Sequence, residues 1–506
     1  MPARTNLLAR LLAAGAALSL VAALGASASV ARAITPPTIT VLDINPEGDS
    51  YALDDDDNEA VAVGDILLFA AEHYTYGRDL FKSDGTVAGT VLVKDINPTG
   101  DSRVDYMVSI GNTAYFRADN GTDGIELWKS DGTEAGTVMV KDINPSGADD
   151  SYPRDLFVVG STIYFEATDG TNGAELWKSD GTEAGTVMVK NINPSGDSDP
   201  QNFAAIGSTL YFEASNGTDG AELWKSDGTT AGTVMVKNIN PSDNSNPDYL
   251  VALGSTLYFR AEDGTNGDEL WKSDGTEAGT VMVKNINLST DSYPYDLTVL
   301  GSTIYFQADD STNGYELWKS NGTEAGTVLV KNINPVADSY VNNLTVLGST
   351  LYFEASNGTD GYELWKSDGT TAGTVMVKDI NTASNSGNIR AIVRHGNLLY
   401  FQAQDSVNGE EMYLSDGTEA GTMRIPAPTA IDYIDCDCYD NPVMSTSIGV
   451  FFTYYDGEVG YELGFVPDLL PETNTSGNAL TLALLALSGA LAAGAVIARR
   501  KELRRN

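Results

Sequence analysis

The sequence predicts an all-β chain closed into a ring of small, near-identical sheets. Three observations carry this expectation. Among 506 residues there are 51 Gly and 18 Pro, and helix-favouring stretches are confined to the two ends. One eight-residue string, ELWKSDGT, returns every 47–49 residues. Around each copy lie four short alternating segments punctuated by turn residues. Four antiparallel strands in about 47 residues match one blade of a β-propeller. A β-solenoid coil would be shorter, and a helical repeat would not alternate in this way.

The string is verbatim at 126–133, 175–182, 222–229, 269–276 and 363–370, and at 316–323 it differs only by Asn321. Worn copies stand at 79–86 and 411–418, with a stub at Glu462-Leu463. In a representative unit the first strand covers 297–300 and ends at Gly301; the second covers 302–306, the third 315–318 and the fourth 327–331. An Asn/Asp/Gly loop joins the second and third. The Ser-Asp-Gly-Thr stretch joins the third and fourth as a hairpin turn. Asn-Ile-Asn-Pro ends the fourth, because Pro cannot continue a ladder. Glycine-led second strands begin at Gly64, Gly111, Gly160, Gly207, Gly254, Gly301, Gly348, Gly396 and Gly449, which makes nine. Eight fourth strands follow the first eight hairpins. The ninth lies at 39–46, ahead of them all. We therefore expect it to pair with the last hairpin near Glu462 and to close a nine-bladed ring without free edges. Eight blades would result if 423–466 were irregular.

These residues resemble the ELWxxDGT repeat family of bacterial surface and secreted proteins, over roughly residues 38–466. The resemblance implies a repeat domain and no particular activity.

The ends read differently. Residues 1–33 have the pattern of a signal peptide: Arg4 and Arg10, an Ala/Leu-rich run, then Ala31-Arg32-Ala33 as a small-x-small cleavage site before Ile34. A retained N-terminal anchor is the alternative. The propeller domain is expected at 34–466 and a linker at 467–478. An apolar helix at 479–498 is long enough to span a bilayer, and a basic tail at 499–506 suits the cytoplasmic side. Leu470-Pro471-Glu472-Thr473-Asn474 before the helix resembles an LPxTG-type sortase sorting signal, with Asn474 where that family has Gly. The resemblance implies cleavage after Thr473 by a sortase-like transpeptidase and attachment to the cell wall. A plain membrane anchor is the alternative. Both place the repeats outside the cell.

Thirty basic against 70 acidic residues give a net charge of −40, which excludes a nucleic-acid partner. The six Trp (Trp128, Trp177, Trp224, Trp271, Trp318 and Trp365) share one repeat position. We expect them to pack between blades; a ring of platforms stacking on sugars is the alternative, and exposure separates the two. Lysine is confined to two repeat positions, at Lys82 to Lys366 and at Lys94 to Lys378, with Lys501 alone outside. This regularity suggests ion pairs with the equally regular acid of each unit: Asp79, Glu126, Glu175, Glu222, Glu269, Glu316, Glu363, Glu411 and Glu462. A cation-binding carboxylate ring is the alternative. The Asp of Ser-Asp-Gly-Thr is expected to make a turn rather than to ligate Ca²⁺, since Asn321 replaces it freely. No cofactor is expected apart from a Ca²⁺ site, for which the acidic run 54–57 is also a candidate. Cys436 and Cys438 suit a disulfide or a metal pair. His73 and His395 read as ordinary loop or strand residues, and no Ser-His-Asp order or GxSxG is present.

The resulting expectation is a surface-anchored binding or adhesion module for a protein or glycan, and not an enzyme. The alternatives are a propeller that cleaves polysaccharide, using residues that break the repeat symmetry, and a structural coat component.

Overall fold

A computed structural model describes residues 36–53, 59–147, 149–382, 386–426, 443–456 and 460–468. Nine antiparallel sheets of four strands each make a nine-bladed β-propeller. In blade 6 the strands are Tyr295–Leu300, Thr303–Asp309, Tyr315–Ser320 and Val328–Lys331, paired in that order; we call these positions A to D. Neighbouring blades meet along their A strands, which makes A the innermost strand. In chain order the A strands are Ala60–Val63, Asp105–Ile110, Arg154–Val159, Gln201–Ile206, Asp248–Leu253, Tyr295–Leu300, Asn342–Leu347, Arg390–His395 and Val443–Ser445. Among the described residues there is no α-helix, only a 3₁₀ turn at Val87–Gly89.

The B strands are covered on both faces. In Thr303–Asp309 the residues Ile304, Tyr305, Phe306 and Ala308 are all buried. One face meets the preceding blade and the other the following blade, so these strands read as continuous apolar runs rather than strict alternation. Consequently no blade owns its core. Leu270 and Val283 of blade 5 pack with Ile304, Phe306 and Trp318 of blade 6 in one cluster, and the same merging recurs between blades 6 and 7.

The expected closure is present. Thr40–Leu42 pairs antiparallel with Gly460–Pro467, in the register Thr40 to Phe465 and Leu42 to Leu463. The ninth sheet is therefore Val443–Ser445, Gly449–Asp456, Gly460–Pro467 and Thr40–Leu42. The closing strand is shorter than the sequence suggested, because Asn45 turns away to bond the Asp49 carbonyl. The ring has nine blades rather than eight, since 443–467 supplies three ordinary strands.

Strand direction gives the ring two distinct mouths. All A strands begin at one mouth, where the B–C loops and D-to-A links also lie. At the other mouth lie the A–B hairpins and the Ser-Asp-Gly-Thr turns. The expected signal peptide, acidic run 54–57, cysteines, sorting motif and apolar helix fall outside the described residues. Within them, no helix is long and apolar enough to cross a membrane.

Deleting residues 36–46 would strip the D strand from blade 9 and bare the edge of Gly460–Pro467. The expected outcome is a lower thermal midpoint together with concentration-dependent self-association, read by thermal unfolding and size-exclusion chromatography.

Candidate functional site

Each C strand carries an acid at its second or third residue, and that acid is buried. The Glu316 side chain accepts the Ile333 N–H at 2.8 Å, the Asn334 N–H at 3.1 Å and the Ser339 hydroxyl at 2.8 Å. Ile333 and Asn334 belong to the segment leaving strand D, and Ser339 precedes the next A strand. The carboxylate thus ties the link between two blades to strand C of the first. Glu126, Glu175, Glu222 and Glu269 make the same three contacts. Glu462 receives the Ile44 N–H at the closure, Glu363 the Ile380 N–H and Asp79 the Ile96 N–H. Glu411 is the exception, meeting Arg424 at 3.2 Å. Burial pushes the acids of Glu126, Glu269, Glu316, Glu363, Glu411, Glu462 and Asp79 up to about 7, against the pull of their hydrogen bonds and, at Glu411, of Arg424. Glu175 and Glu222 are raised for the same reason.

The expected Glu–Lys ion pairs are therefore not formed. The lysines reach forward to backbone carbonyls of the next blade instead. Lys272 Nζ donates to the Gly322 carbonyl at 2.7 Å, and Lys284 Nζ to the Thr327 carbonyl at 2.9 Å. Lys284 also lies 5.6 Å from the ring centre of Trp318, a cation–π contact between blades. The pattern runs from Lys82 and Lys94 in blade 1 to Lys366 and Lys378 in blade 7. A carbonyl partner suits this position because carboxylates pay more to leave water.

All six Trp are 5% exposed, so none offers a face to a sugar. Among the described residues, none of their six indole N–H groups meets an acceptor. Bulk is what the position demands, and Phe81 and Tyr413 fill it in blades 1 and 8. The turns beside them are equally explicit. Asp131 Oδ1 accepts from the Thr133 N–H and hydroxyl, and Asn321 Oδ1 does the same for Thr323. The Gly that follows has a positive φ (+83° at Gly275), and a Cβ there would collide with the Tyr211 hydroxyl of the preceding blade. Among the described residues no group of three His, Cys, Asp or Glu side chains is placed to hold a metal ion.

Against this uniform scaffold, side-chain variation gathers at the mouth where the A strands begin. The five residues that lead into and open the A strands of blades 2 to 8 read 102–106 SRVDY, 151–155 SYPRD, 198–202 SDPQN, 245–249 SNPDY, 292–296 SYPYD, 339–343 SYVNN and 387–391 GNIRA. In every one of these blades the second and fifth residues have positive φ without being glycine, as at Tyr293 (46°) and Asp296 (55°). Such a conformation costs about 1–2 kcal/mol per residue. At the fifth position the A–B ladder bulges, and the side chain reaches the next blade: Asp296 accepts the Leu344 N–H at 2.7 Å. Blades 2 and 5 set Asp–Arg pairs here, Asp105 with Arg117 and Asp248 with Arg260, each Arg lying over a Tyr.

Blades 6 and 7 replace that pair with Tyr295 opposite Gln307 and Asn342 opposite Glu354. Here the tyrosines collect. Tyr340 stacks on Tyr315 at 5.8 Å and lies 6.5 Å from Tyr362, and Tyr295 meets Tyr249 at 4.8 Å. Tyr340 is 42% exposed and Tyr293 38%. Hydrogen bonds to Asp338 and Asp291 hold their hydroxyls and raise both phenols, Tyr293 to about 12. Sequence reading missed this sector because it weighed what the repeats share. The legible signal was where they differ.

At the opposite mouth Ser447 of blade 9 bonds the Gly64 carbonyl and Asp65 of blade 1, and the repeat is also broken between blades 8 and 9. There His395 Nδ1 lies 3.0 Å from Ser445 Oγ, and His395 Nε2 lies 3.4 Å from Asp468 Oδ1. The reading of His395 as an ordinary strand residue misses this meeting. His73, at the end of a B strand, packs on Tyr74 and Tyr76.

No family model matches the chain, and no curated protein is similar to it. Among solved structures, puromycin hydrolase aligns at 12% identity with a TM-score of 0.37, over 70% of this chain and 58% of that one. A structure from work on two prolyl endopeptidases aligns at 12% identity with a TM-score of 0.40, over 71% and 55%. The chain thus spans somewhat over half the length of each. The sequence reading excluded an enzyme; the aligned propellers belong to enzymes, and that exclusion is withdrawn.

Two outcomes follow for the scaffold. Trp271→Ala should cost about 3–5 kcal/mol and Trp271→Phe markedly less, measured by denaturant unfolding. The buried acids bind their protons more tightly folded than unfolded. Their contribution is therefore complete below the ordinary Glu value of 4.5 and is lost as pH rises through about 7. The thermal midpoint should fall between about pH 5 and pH 8, and Glu269→Gln with Glu316→Gln should flatten that slope.

Proposed function

We propose that this chain is an exported, surface-held member of the ELWxxDGT repeats whose propeller binds a protein or glycan at the mouth where its A strands begin. The observation that carries this reading is the concentration of variation there. Blades that repeat ELWKSDGT almost verbatim differ in the residues that open their A strands. Backbone strain of the kind that clusters at functional sites falls on the same positions. The sector of blades 6 and 7, with Tyr293, Tyr295, Tyr315, Tyr340 and Tyr362 beside Asn342 and Asn343, is the proposed contact surface. Tyrosine supplies rigid amphipathic area at low entropic cost, and the amides supply hydrogen bonds. The acidity of the chain favours neutral or basic ligands.

The display apparatus is argued from sequence. On this reading residues 1–33 are removed before Ile34, and a sortase-like transpeptidase joins Thr473 of Leu470–Asn474 to the cell wall or, failing that, 479–498 holds the chain in the membrane. Mass spectrometry of the cell-associated protein should find Ile34 as its first residue. A terminus at Thr473 supports the covalent route, and an intact tail supports the membrane route.

Binding is tested with purified protein on glycan arrays and on immobilised surface-protein extracts. For any ligand found, Tyr340→Ala and Tyr315→Ala should each weaken affinity by at least about tenfold, or about 1.4 kcal/mol, with the thermal midpoint unchanged. Ligand binding that both variants leave intact would overturn the assignment of the sector.

A further inference from the structure

Among the described residues, the opposite mouth brings a histidine, a serine and an aspartate together where blades 8 and 9 meet. The last residue of each A strand is normally apolar and packs toward the next blade: Leu300 joins the core of blade 7, and Leu347 that of blade 8. In blade 8 this residue is His395. It faces blade 9 as its counterparts face theirs, and there it meets Ser445. Ser445 pairs with Val450, the register that Val299 and Val346 occupy opposite Ile304 and Leu351. Blade 2 also has a serine in this register, Ser109 opposite Ala114; between blades 8 and 9 the serine touches a histidine.

A third group completes the set. Asp468 follows the last C strand, and its backbone N–H donates to the Ile448 carbonyl, which pins it beside the histidine. The imidazole side chain is 10% exposed, and its edge packs on Tyr400, whose ring centre is 6.0 Å away. Ser445 is half-buried at the end of its strand.

We propose that Ser445, His395 and Asp468 form a nucleophile–base–acid set that hydrolyses an uncharged carboxylic ester. His395 Nε2, 3.4 Å from the Asp468 carboxylate, makes no hydrogen bond to it at this distance; in the tautomer protonated on Nε2, Nδ1 is free to accept the hydroxyl proton. Ser445 Oγ attacks the ester carbonyl carbon as its proton passes to Nδ1. The carbon–oxygen bond to the alcohol then breaks, and the alcohol leaves with that proton. Water attacks the acyl-Ser445 ester, its proton passing to Nδ1, and Ser445 departs with the proton as the acid is released. The 3.4 Å separation to Asp468 is loose, as unliganded catalytic contacts often are. An uncharged ester fits because so acidic a chain repels anions.

The full chain is assayed with p-nitrophenyl acetate and with a fluorophosphonate probe followed by peptide mapping. The expected result is an adduct on Ser445, with kcat/KM lowered at least about 100-fold in Ser445→Ala and in His395→Gln. Asp468→Asn should lower kcat and shift its pH profile while changing KM little. Ser445→Cys guards against misfolding of the alanine variant: its alkylation by iodoacetamide should slow when His395→Gln is added. An unlabelled Ser445 in folded protein, turnover that survives Ser445→Ala, or cysteine reactivity indifferent to His395 would overturn the proposal. Val407→Ala, 87% exposed on the B–C loop of blade 8 at the other mouth, should leave all these readouts unchanged.

Discussion

A carboxylate shut away from water at the joint between consecutive sheets is the interaction on which the ring depends. Each D-to-A link must leave one blade, cross to the next and expose as few unpaired amides as possible on the way. One side chain collects two of those amides and a serine hydroxyl. Replacing it by an apolar residue would strand donors that cost about 1–3 kcal/mol apiece. The same joint explains why Ser, Ile and Asn recur at fixed distances from the acid although they sit on different elements.

The lysines and tryptophans perform a complementary task at the outer side of each blade. A propeller sheet has no core of its own, so every contact that matters crosses to a neighbour. Lys272 and Lys284 reach carbonyls in blade 6, and Trp318 of blade 6 lies beneath Lys284. Identical blades can then be added in sequence, because each presents forward the surface it receives from behind. The lysines and tryptophans lie outside the A-strand openings, so after their first serine those openings can vary without disturbing these contacts.

Much of this was legible in the chain. Spacing and turn chemistry identified four strands per unit, and an orphan fourth strand at the front implied closure at the back. The burial of the tryptophans was also within reach of the pattern. The partners of the charged residues were not. Regular Glu and Lys positions look like ion pairs when only side chains are counted, whereas the lysines bond backbone carbonyls and most of the acids bond backbone amides and a serine hydroxyl. The left-handed residues escaped notice because Tyr, Asp and Asn replace the glycine that usually announces such a backbone. His395 and Ser445 lie 50 residues apart on different blades, and only the ring brings them together.

The closing strand has a kinetic corollary. Thr40 pairs with Phe465, so the segment that leaves the ribosome early must wait for the hairpin made last. At typical rates of synthesis, about 5–20 residues per second, that interval is roughly 20–85 s. Throughout it the growing array holds two unmatched termini. The circle therefore locks only once its final hairpin has arrived.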